Sequence, residues 1–306
     1  MNDLHTFDPS TATWEEVSPI GDLPAARSYF CSAAIDGKLY VHGSSQFSAD
    51  LWVLDTSTVS WQKLSPMGDI PEATYDHSCA ALGGSLYFYG NNLRKYDVAA
   101  NVWSIVDVPG SKPDVVVFSL DRMVAVRGVI WLVRQQTDWE LWVFSPEQST
   151  WKDASMQVRG ASPPSRSLHG CTEADGRIYI SGGSQETNTR YGSDLWMLDA
   201  AEGYLGPEAV LVWTELSAGS LLGSAPVQRM GAGLAVLWGR MYIFGGLSPN
   251  DRDGRRLPYC PTALLCCLLF LMNSERFNAL VTPPPKQQHR GDRSTGSYPL
   301  QTLTHF

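Results

Sequence analysis

The chain has 306 residues, 43% of them hydrophobic, 11% aromatic and 18% charged, which supplies a sizeable core and excludes wholesale disorder. Its formal net charge of −8 argues against a general nucleic-acid binder, which would carry a basic surface. Six cysteines at irregular positions do not make a disulfide framework in a chain this long, and Met1-Asn2-Asp3-Leu4-His5 carries neither a basic region nor an apolar run, so a reducing, cytoplasmic setting is expected.

In chain order, residues 2–17 read as two strands, Asn2-Asp3-Leu4-His5-Thr6-Phe7-Asp8 and a second one carrying Trp14. Four fuller units follow, at about 27–65, 74–107, 115–154 and 166–217, and a half unit at 229–246 ends the series. Each full unit runs from a lead-in segment such as Arg166-Ser167-Leu168-His169 into small and apolar residues, then into a Gly-x-Leu-Tyr strand that ends on glycine. Asp36-Gly37-Lys38-Leu39-Tyr40-Val41-His42-Gly43 and Asp175-Gly176-Arg177-Ile178-Tyr179-Ile180-Ser181-Gly182-Gly183 are two copies of that strand. An acidic-Leu-Trp strand follows, at Asp50-Leu51-Trp52, Glu140-Leu141-Trp142 and Asp194-Leu195-Trp196, and then a turn and a closing strand with tryptophan. Short runs of β-branched and aromatic residues bounded by Gly, Asp, Ser and Pro are strands. The closing tryptophans at 14, 61, 103, 151 and 213 are spaced 47, 42, 48 and 62 residues apart. The first three intervals fit a four-stranded propeller blade, and Ala200–Leu211 supplies the insertion that the last one needs.

Arg-x-x-His, Gly-x-Leu-Tyr-x-x-Gly-Gly, Asp-Leu-Trp-x-x-Asp and the spaced tryptophans together resemble the kelch repeat family over residues 2–254. The resemblance implies an all-β fold, a kelch-type β-propeller of four-stranded antiparallel blades, used mostly as a protein-binding platform and in a few members as an enzyme. Residues 2–17 match the last two strands of a unit and residues 229–246 the first two. Together they imply about five blades, with the N-terminal strands completing the last blade and removing exposed strand edges. Unit three departs most. Arg127-Gly128-Val129-Ile130-Trp131-Leu132-Val133-Arg134 ends on arginine, and Val115-Val116-Val117-Phe118-Ser119, taken as the strand before it, lacks Arg-x-x-His. A distorted loop is expected there.

With four alternating strands, the loops that follow the Leu-Tyr strands and those between blades emerge on one face. Arg27, Arg166 and Arg229 begin inner strands near the channel mouth and are candidate donors to an acidic peptide segment. Alternatively they are buried pairs with carboxylates. Tyr29, Tyr75, Arg190 and Tyr191 are loop aromatics and cations of the kind that become binding hot spots, and Arg134 marks the irregular loop of unit three.

No catalytic constellation, phosphate loop or metal motif is read, so no cofactor is expected. The iron-site pattern of plant specifier proteins of this fold begins at Glu72 and Asp76, but its third place is Ala80. The composition changes near residue 255. Residues 256–306 hold five Lys/Arg and two Asp/Glu, whereas the first 255 hold 18 and 29. Residues 255–306 are expected to be a disordered tail outside the propeller of residues 1–254. Its apolar run Ala263–Met272 is ten residues long, roughly 15 Å as a helix against a hydrocarbon core of about 30 Å, so a membrane anchor is not expected. The reading is a non-enzymatic scaffold that binds a protein or peptide on its loop face. The alternative is an enzyme or specifier with a metal or small-molecule site in the channel.

Overall fold

The structure is a computed structural model that describes residues 3–27, 30–44, 48–72, 78–114, 121–185, 190–200, 209–216, 226–237, 239–248 and 300–302. Among these residues the chain is almost wholly β, with one short 3-10 turn at Ser155–Gln157.

Four complete blades are present among the described residues. In order from the inner to the outer strand, blade 1 is Cys31–Ile35, Lys38–His42, Leu51–Asp55 and Ser60–Leu64. Blade 2 is Ser78–Leu82, Ser85–Tyr89, Leu93–Asp97 and Val102–Ile105. Blade 3 is Arg122–Val126, Val129–Gln135, Trp139–Ser145 and Thr150–Asp153. Blade 4 is Gly170–Ala174, Arg177–Ser181, Leu195–Asp199 and Leu211–Glu215.

The turn between inner and second strands is set by two consecutive residues at positive φ. These are Asp36-Gly37 (49° and 72°), Gly83-Gly84 (58° and 72°), Arg127-Gly128 (47° and 84°) and Asp175-Gly176 (53° and 79°). That geometry matches the right-handed twist of the strands it joins. The inner strand of blade 3 is therefore Arg122–Val126, not residues 115–119, which lie outside the described residues. The Arg127-Gly128 turn fixes this register, setting Val126 opposite Val129 and Arg122 opposite Val133.

The core lies between blades rather than within them. Successive side chains point to opposite faces of a strand, so each blade packs against both neighbours. Tyr40, Leu51 and Val53 of blade 1 meet Leu86, Phe88, Tyr96 and Trp103 of blade 2. Tyr87, Tyr89 and Leu93 meet Ile130, Leu132 and Trp151, and Trp131, Val133 and Leu141 meet Ile180, Trp196 and Trp213. The opposite face of blade 1, formed by Leu39, Val41, Trp52 and Leu54, receives Leu4. Blade 4 packs Tyr179 and Leu195 on Met241.

The two half units are each a hairpin: Leu4–Asp8 with Thr13–Val17, and Gly233–Leu237 with Arg240–Phe244. They meet through aromatic rings, with Phe7 on Tyr242 at 5.7 Å and Trp14 on Phe244 at 4.6 Å between centroids. The ladder expected between N-terminal and C-terminal strands is not formed here. Instead the edge of Arg240–Phe244 pairs in parallel with Leu300–Thr302. The remainder of the expected tail, residues 255–299 and 303–306, lies outside the described residues.

Three linkers contribute short outermost strands. Ile20–Gly21 pairs in parallel with Ser60 and Trp61 of blade 1, Met67–Gly68 with Val102 and Trp103 of blade 2, and Val158–Arg159 with Leu211 and Val212 of blade 4. Each linker thus leaves one unit and hydrogen-bonds to the outer strand of the next. At Gly68, φ is +86° and a Cβ would collide with the Trp103 carbonyl oxygen, so only glycine lets the two backbones meet. Gly83 also has positive φ, at +58°, but nothing lies within 4 Å of its Cβ position. Gly68→Ala is therefore expected to lower the urea midpoint clearly more than Gly83→Ala, which carries only the backbone cost of about 1–2 kcal/mol. Equal midpoints would refute the close-approach account.

Candidate functional site

At the loop end of blade 1, the Arg27 guanidinium joins three stretches of chain. Nε donates to the Ala25 carbonyl at 3.2 Å, and Nη1 donates to the Gly43 carbonyl at 3.1 Å. Nη1 and Nη2 then take both oxygens of Asp50, at 2.8 and 3.1 Å. The indole of Trp52, two residues on, donates to Asp50 Oδ2 at 2.5 Å. Blade 4 repeats the arrangement. Arg166 Nε donates to Pro164 O at 3.0 Å, Nη1 to Gly182 O at 3.0 Å, and the fork closes on Asp194 at 2.7 and 2.5 Å. Trp196 Nε1 adds a bond to Asp194 at 2.8 Å. The acidic-Leu-Trp motif is thus the receiving half of a bolt whose donor lies in the lead-in segment.

Arg134 explains the irregular unit. It stands at the end of the second strand, where other units carry glycine, and reaches forward to the acidic-Leu-Trp residue of its own blade. Its Nε and Nη2 donate to Glu140 Oε2 at 2.8 and 2.6 Å, and its Nη1 donates to Asp114 O at 2.7 Å. Trp142 Nε1 lies 3.4 Å from the same Glu140 oxygen. The expected distortion is absent: the two strands extend to seven residues each and pair as far as Gln135 opposite Trp139. In blade 2 the acidic place holds Asn92 and the tryptophan place holds Arg94, whose Nη1 donates to the Asp69 and Ile70 carbonyls at 2.5 and 3.3 Å.

Arg27, Arg134 and Arg166 are therefore spent on carboxylates within their own blades, with side chains 7%, 3% and 0% exposed. Arg229 has only the first part of the pattern, with Nε to Val227 O at 3.2 Å and Nη1 to Gly245 O at 2.5 Å. Arg190 and Tyr191 form a small strand paired with Ser184–Gln185, a hairpin rising between the second and third strands of blade 4. Tyr29 and Tyr75 lie outside the described residues. The glycine pair Gly182-Gly183 sits under the next unit at φ +70° and +95°, and Gly183 N donates to Arg229 O at 2.9 Å.

Burial works to raise the Asp50 and Asp194 carboxyls. The arginine in each bolt, with its charge and hydrogen bonds, and the indole outweigh it, so both are held below the ordinary value near 3.8. His169 is fully buried beside Trp139, with ring centroids 5.3 Å apart. Burial first, then the charges of Arg122 and Arg166, push its pKa well below the ordinary 6.5. Burial pushes the Cys171 thiol up to about 12, so it stays protonated and unreactive. Among the described residues no three His, Cys, Asp or Glu side chains gather in a geometry that could hold a metal ion. No helix among them is long and apolar enough to cross a membrane. Asp76 of the iron-site pattern lies outside the described residues.

A family model described as the KLHDC2/KLHL20/DRC7 Kelch-repeats domain matches residues 1–91 and 116–290. The unmatched stretch begins at Asn92, which holds the acidic place of blade 2. No curated protein matches the chain.

Removing one partner of a buried pair strands the other charge, which costs about 3–5 kcal/mol. Arg166→Ala is expected to lose stability on that scale in urea unfolding, and a loss under 1 kcal/mol, about the worth of an exposed pair, would refute the bolt. Acid should destabilise the fold in two steps. Below about pH 6.5 the unfolded chain takes up a proton on His169 that the folded chain does not, so stability falls as pH drops and His169→Phe flattens that slope. The contribution of Asp50 and Asp194 is fully present above their ordinary value near 3.8 and is lost as pH falls through their depressed folded values.

Proposed function

Because the chain belongs to the KLHDC2/KLHL20/DRC7 Kelch-repeats domain family, a kind of propeller that generally engages protein partners, we propose that it is a non-enzymatic interaction scaffold binding a protein or peptide segment on its loop face. The observation that carries this reading is the position of the bolts. Each ties a lead-in segment, the end of a second strand and the head of a third strand at the base of two loops. A rigid base under irregular tips is the arrangement that supports recognition by loops.

In this reading Arg27, Arg134, Arg166 and Arg229 are positioning residues beneath the contact surface. The same reading has Tyr29, Tyr75, Arg190 and Tyr191 meet the partner. Aromatic and arginine side chains give large contact area per ordered rotamer and dominate interface energetics. The exposed carboxylates Asp107, Asp114 and Asp138 flank the same loops and favour a partner segment that offers amide or basic donors over an acidic one.

The reading is tested by affinity capture with the full chain as bait, identification of the bound protein, and direct titration of that protein. Tyr75→Ala and Tyr191→Ala are expected to weaken binding at least tenfold with an unchanged melting temperature. Glu147→Arg, in the turn between the third and outer strands of blade 3 at the opposite end of those strands, leaves binding unchanged. Loss with Glu147→Arg and none with the tyrosine variants would put the contact elsewhere. A stoichiometric transition metal in the purified protein would move the reading to an enzyme or specifier.

A further inference from the structure

Blades 1, 2 and 4 carry a linker strand on the outer edge, whereas among the described residues the sheet of blade 3 ends at Thr150–Asp153. One residue in the linker accounts for the difference. Ser18-Pro19-Ile20-Gly21 and Ser65-Pro66-Met67-Gly68 lead onto blades 1 and 2, and Asp107-Val108-Pro109-Gly110 is their counterpart before blade 3. The three glycines share one backbone shape, with φ of 89°, 86° and 85°, which aligns the linkers and puts Pro109 where the others have Ile20 and Met67. Those two residues anchor the stitch: Ile20 N donates to Val59 O at 3.0 Å and Met67 N to Asn101 O at 3.1 Å. Proline has no N–H to donate. The blade 3 linker accordingly stays off the rim. A Cβ on Gly21 or Gly68 would collide with the Trp61 or Trp103 carbonyl oxygen, but nothing lies within 4 Å of that position at Gly110. Val106 and Val108 pack instead toward the wedge between blades 2 and 3, and Pro113 O accepts from the Tyr89 hydroxyl.

The receiving side of blade 3 is built like the others. Val59, Asn101 and Ser149, each two residues before a closing tryptophan, have φ of 52°, 55° and 52°. Ser149 and Trp151 therefore stand where Asn101 and Trp103 offer their carbonyls to Met67 and Asp69.

We infer that the outer edge of blade 3 is a strand-addition site for an extended segment of a partner protein, paired in parallel, with an apolar residue that keeps its N–H, then glycine, then a basic residue.

The apolar residue and the glycine are read from Ile20-Gly21 and Met67-Gly68, which fill the same edge in blades 1 and 2. The basic residue follows from charge. In blade 2 Asp69 Oδ2 accepts from Ile105 N at 3.3 Å. In blade 3 the place of Ile105 is held by the exposed Asp153, and the exposed Glu147 precedes the same strand. An acid after the glycine would meet like charge there, whereas Lys or Arg meets opposite charge. A second copy of this chain fits poorly, because the edge is four residues long and ends on Lys152 and Asp153, and short charged edges resist pairing with one another. Main-chain bonds supply the affinity of such a contact, and the close approach at glycine supplies its selectivity. The site lies on the rim, apart from the loop face, so this inference and the loop-face reading can fail independently.

The probe is a synthetic peptide with the sequence of residues 64–70 carrying Asp69→Lys, titrated onto the full chain. Binding is expected, with slowed amide exchange over residues 149–153, and at least tenfold tighter than for the same peptide with Gly68→Val. Pro109→Ile in the chain restores the missing donor, so it should raise the melting temperature and weaken peptide binding at least tenfold. No binding at about 1 mM peptide, or equal binding with and without Pro109→Ile, refutes the site. Should Pro109→Ile fail to fold, Thr150→Cys decides. Met67 lies opposite Val102, whose place Thr150 holds in blade 3, so the Thr150→Cys chain should form a mixed disulfide with the peptide carrying Met67→Cys. Absence of that disulfide also refutes the site. A dimer of the full chain that Pro109→Ile dissolves would seat a second copy on the edge and overturn the assignment to a partner protein.

Discussion

A guanidinium buried against a carboxylate is costly unless its remaining donors are also satisfied. In this molecule that requirement organises the loop end of the blades. Arg166 cannot be fully enclosed unless Pro164 and Gly182 turn their carbonyls toward it and Asp194 holds the head of the third strand at the distance of a bidentate fork. Meeting those conditions draws together three stretches of chain that are distant in sequence. The glycines follow from it, since Gly192 sits against both Asp194 and an Arg166 nitrogen with no room for a side chain. The tryptophan of the third strand follows too, because its indole takes up the acceptor capacity that the arginine leaves.

The wedge between blades is filled by aromatic side chains, and the bolt and the wedge are linked through that same tryptophan. Trp196 bonds Asp194 with its nitrogen and joins the core between blades 3 and 4 with its ring. Among the described residues blade 2 shows no such bolt and is tied differently. Tyr89 Oη donates to Pro113 O at 2.5 Å, and Ser78 Oγ accepts from Met123 N at 2.7 Å. Both bonds run from blade 2 toward blade 3, so its loop end leans on a neighbour rather than on an internal charge pair. Its aromatic packing is correspondingly dense, with Phe88 and Trp103 at 4.7 Å and Tyr96 and Trp103 at 5.1 Å between centroids.

The blades were legible because a fixed period repeats both the turn chemistry and the alternation of buried residues. Asp36-Gly37 and Asp175-Gly176 announce the same turn in different units, and in both a Leu-Tyr or Ile-Tyr strand follows it and a Leu-Trp strand comes next. The arginines were legible as positions but not in their bonding. Arg27 and Asp50 are 23 residues apart, and sequence spacing carries no information on which donor reaches which acceptor across a loop. Arg134 is the sharpest instance. Read along the chain it replaces a glycine, yet in space it supplies the guanidinium that the lead-in segment of blade 3 lacks. The sequence points to Val115–Val117 for the inner strand of that blade because it is a more obvious β run than Arg122–Val126, and only pairing across the Arg127-Gly128 turn separates them. The two-residue outermost strands were invisible, since two residues define no alternation. Tyr29 and Tyr75 sit outside what the structure describes.

Those outermost strands change how the propeller carries load. An ordinary stack of blades, each touching only its neighbours through side chains, can lose one unit at a time from the rim inward. Here Met67–Gly68 belongs by sequence to the exit of blade 1 and by hydrogen bonding to blade 2, and Ile20–Gly21 and Val158–Arg159 repeat the stitch. Peeling the outer strand of one blade must therefore pull on the backbone leaving the blade before it. Tension applied at the perimeter is passed along the covalent chain as well as through packed rings, so the rim behaves as a hem sewn in one direction. At these three stitches, onto blades 1, 2 and 4, failure is passed against the order of the sequence, from the blade toward the unit before it.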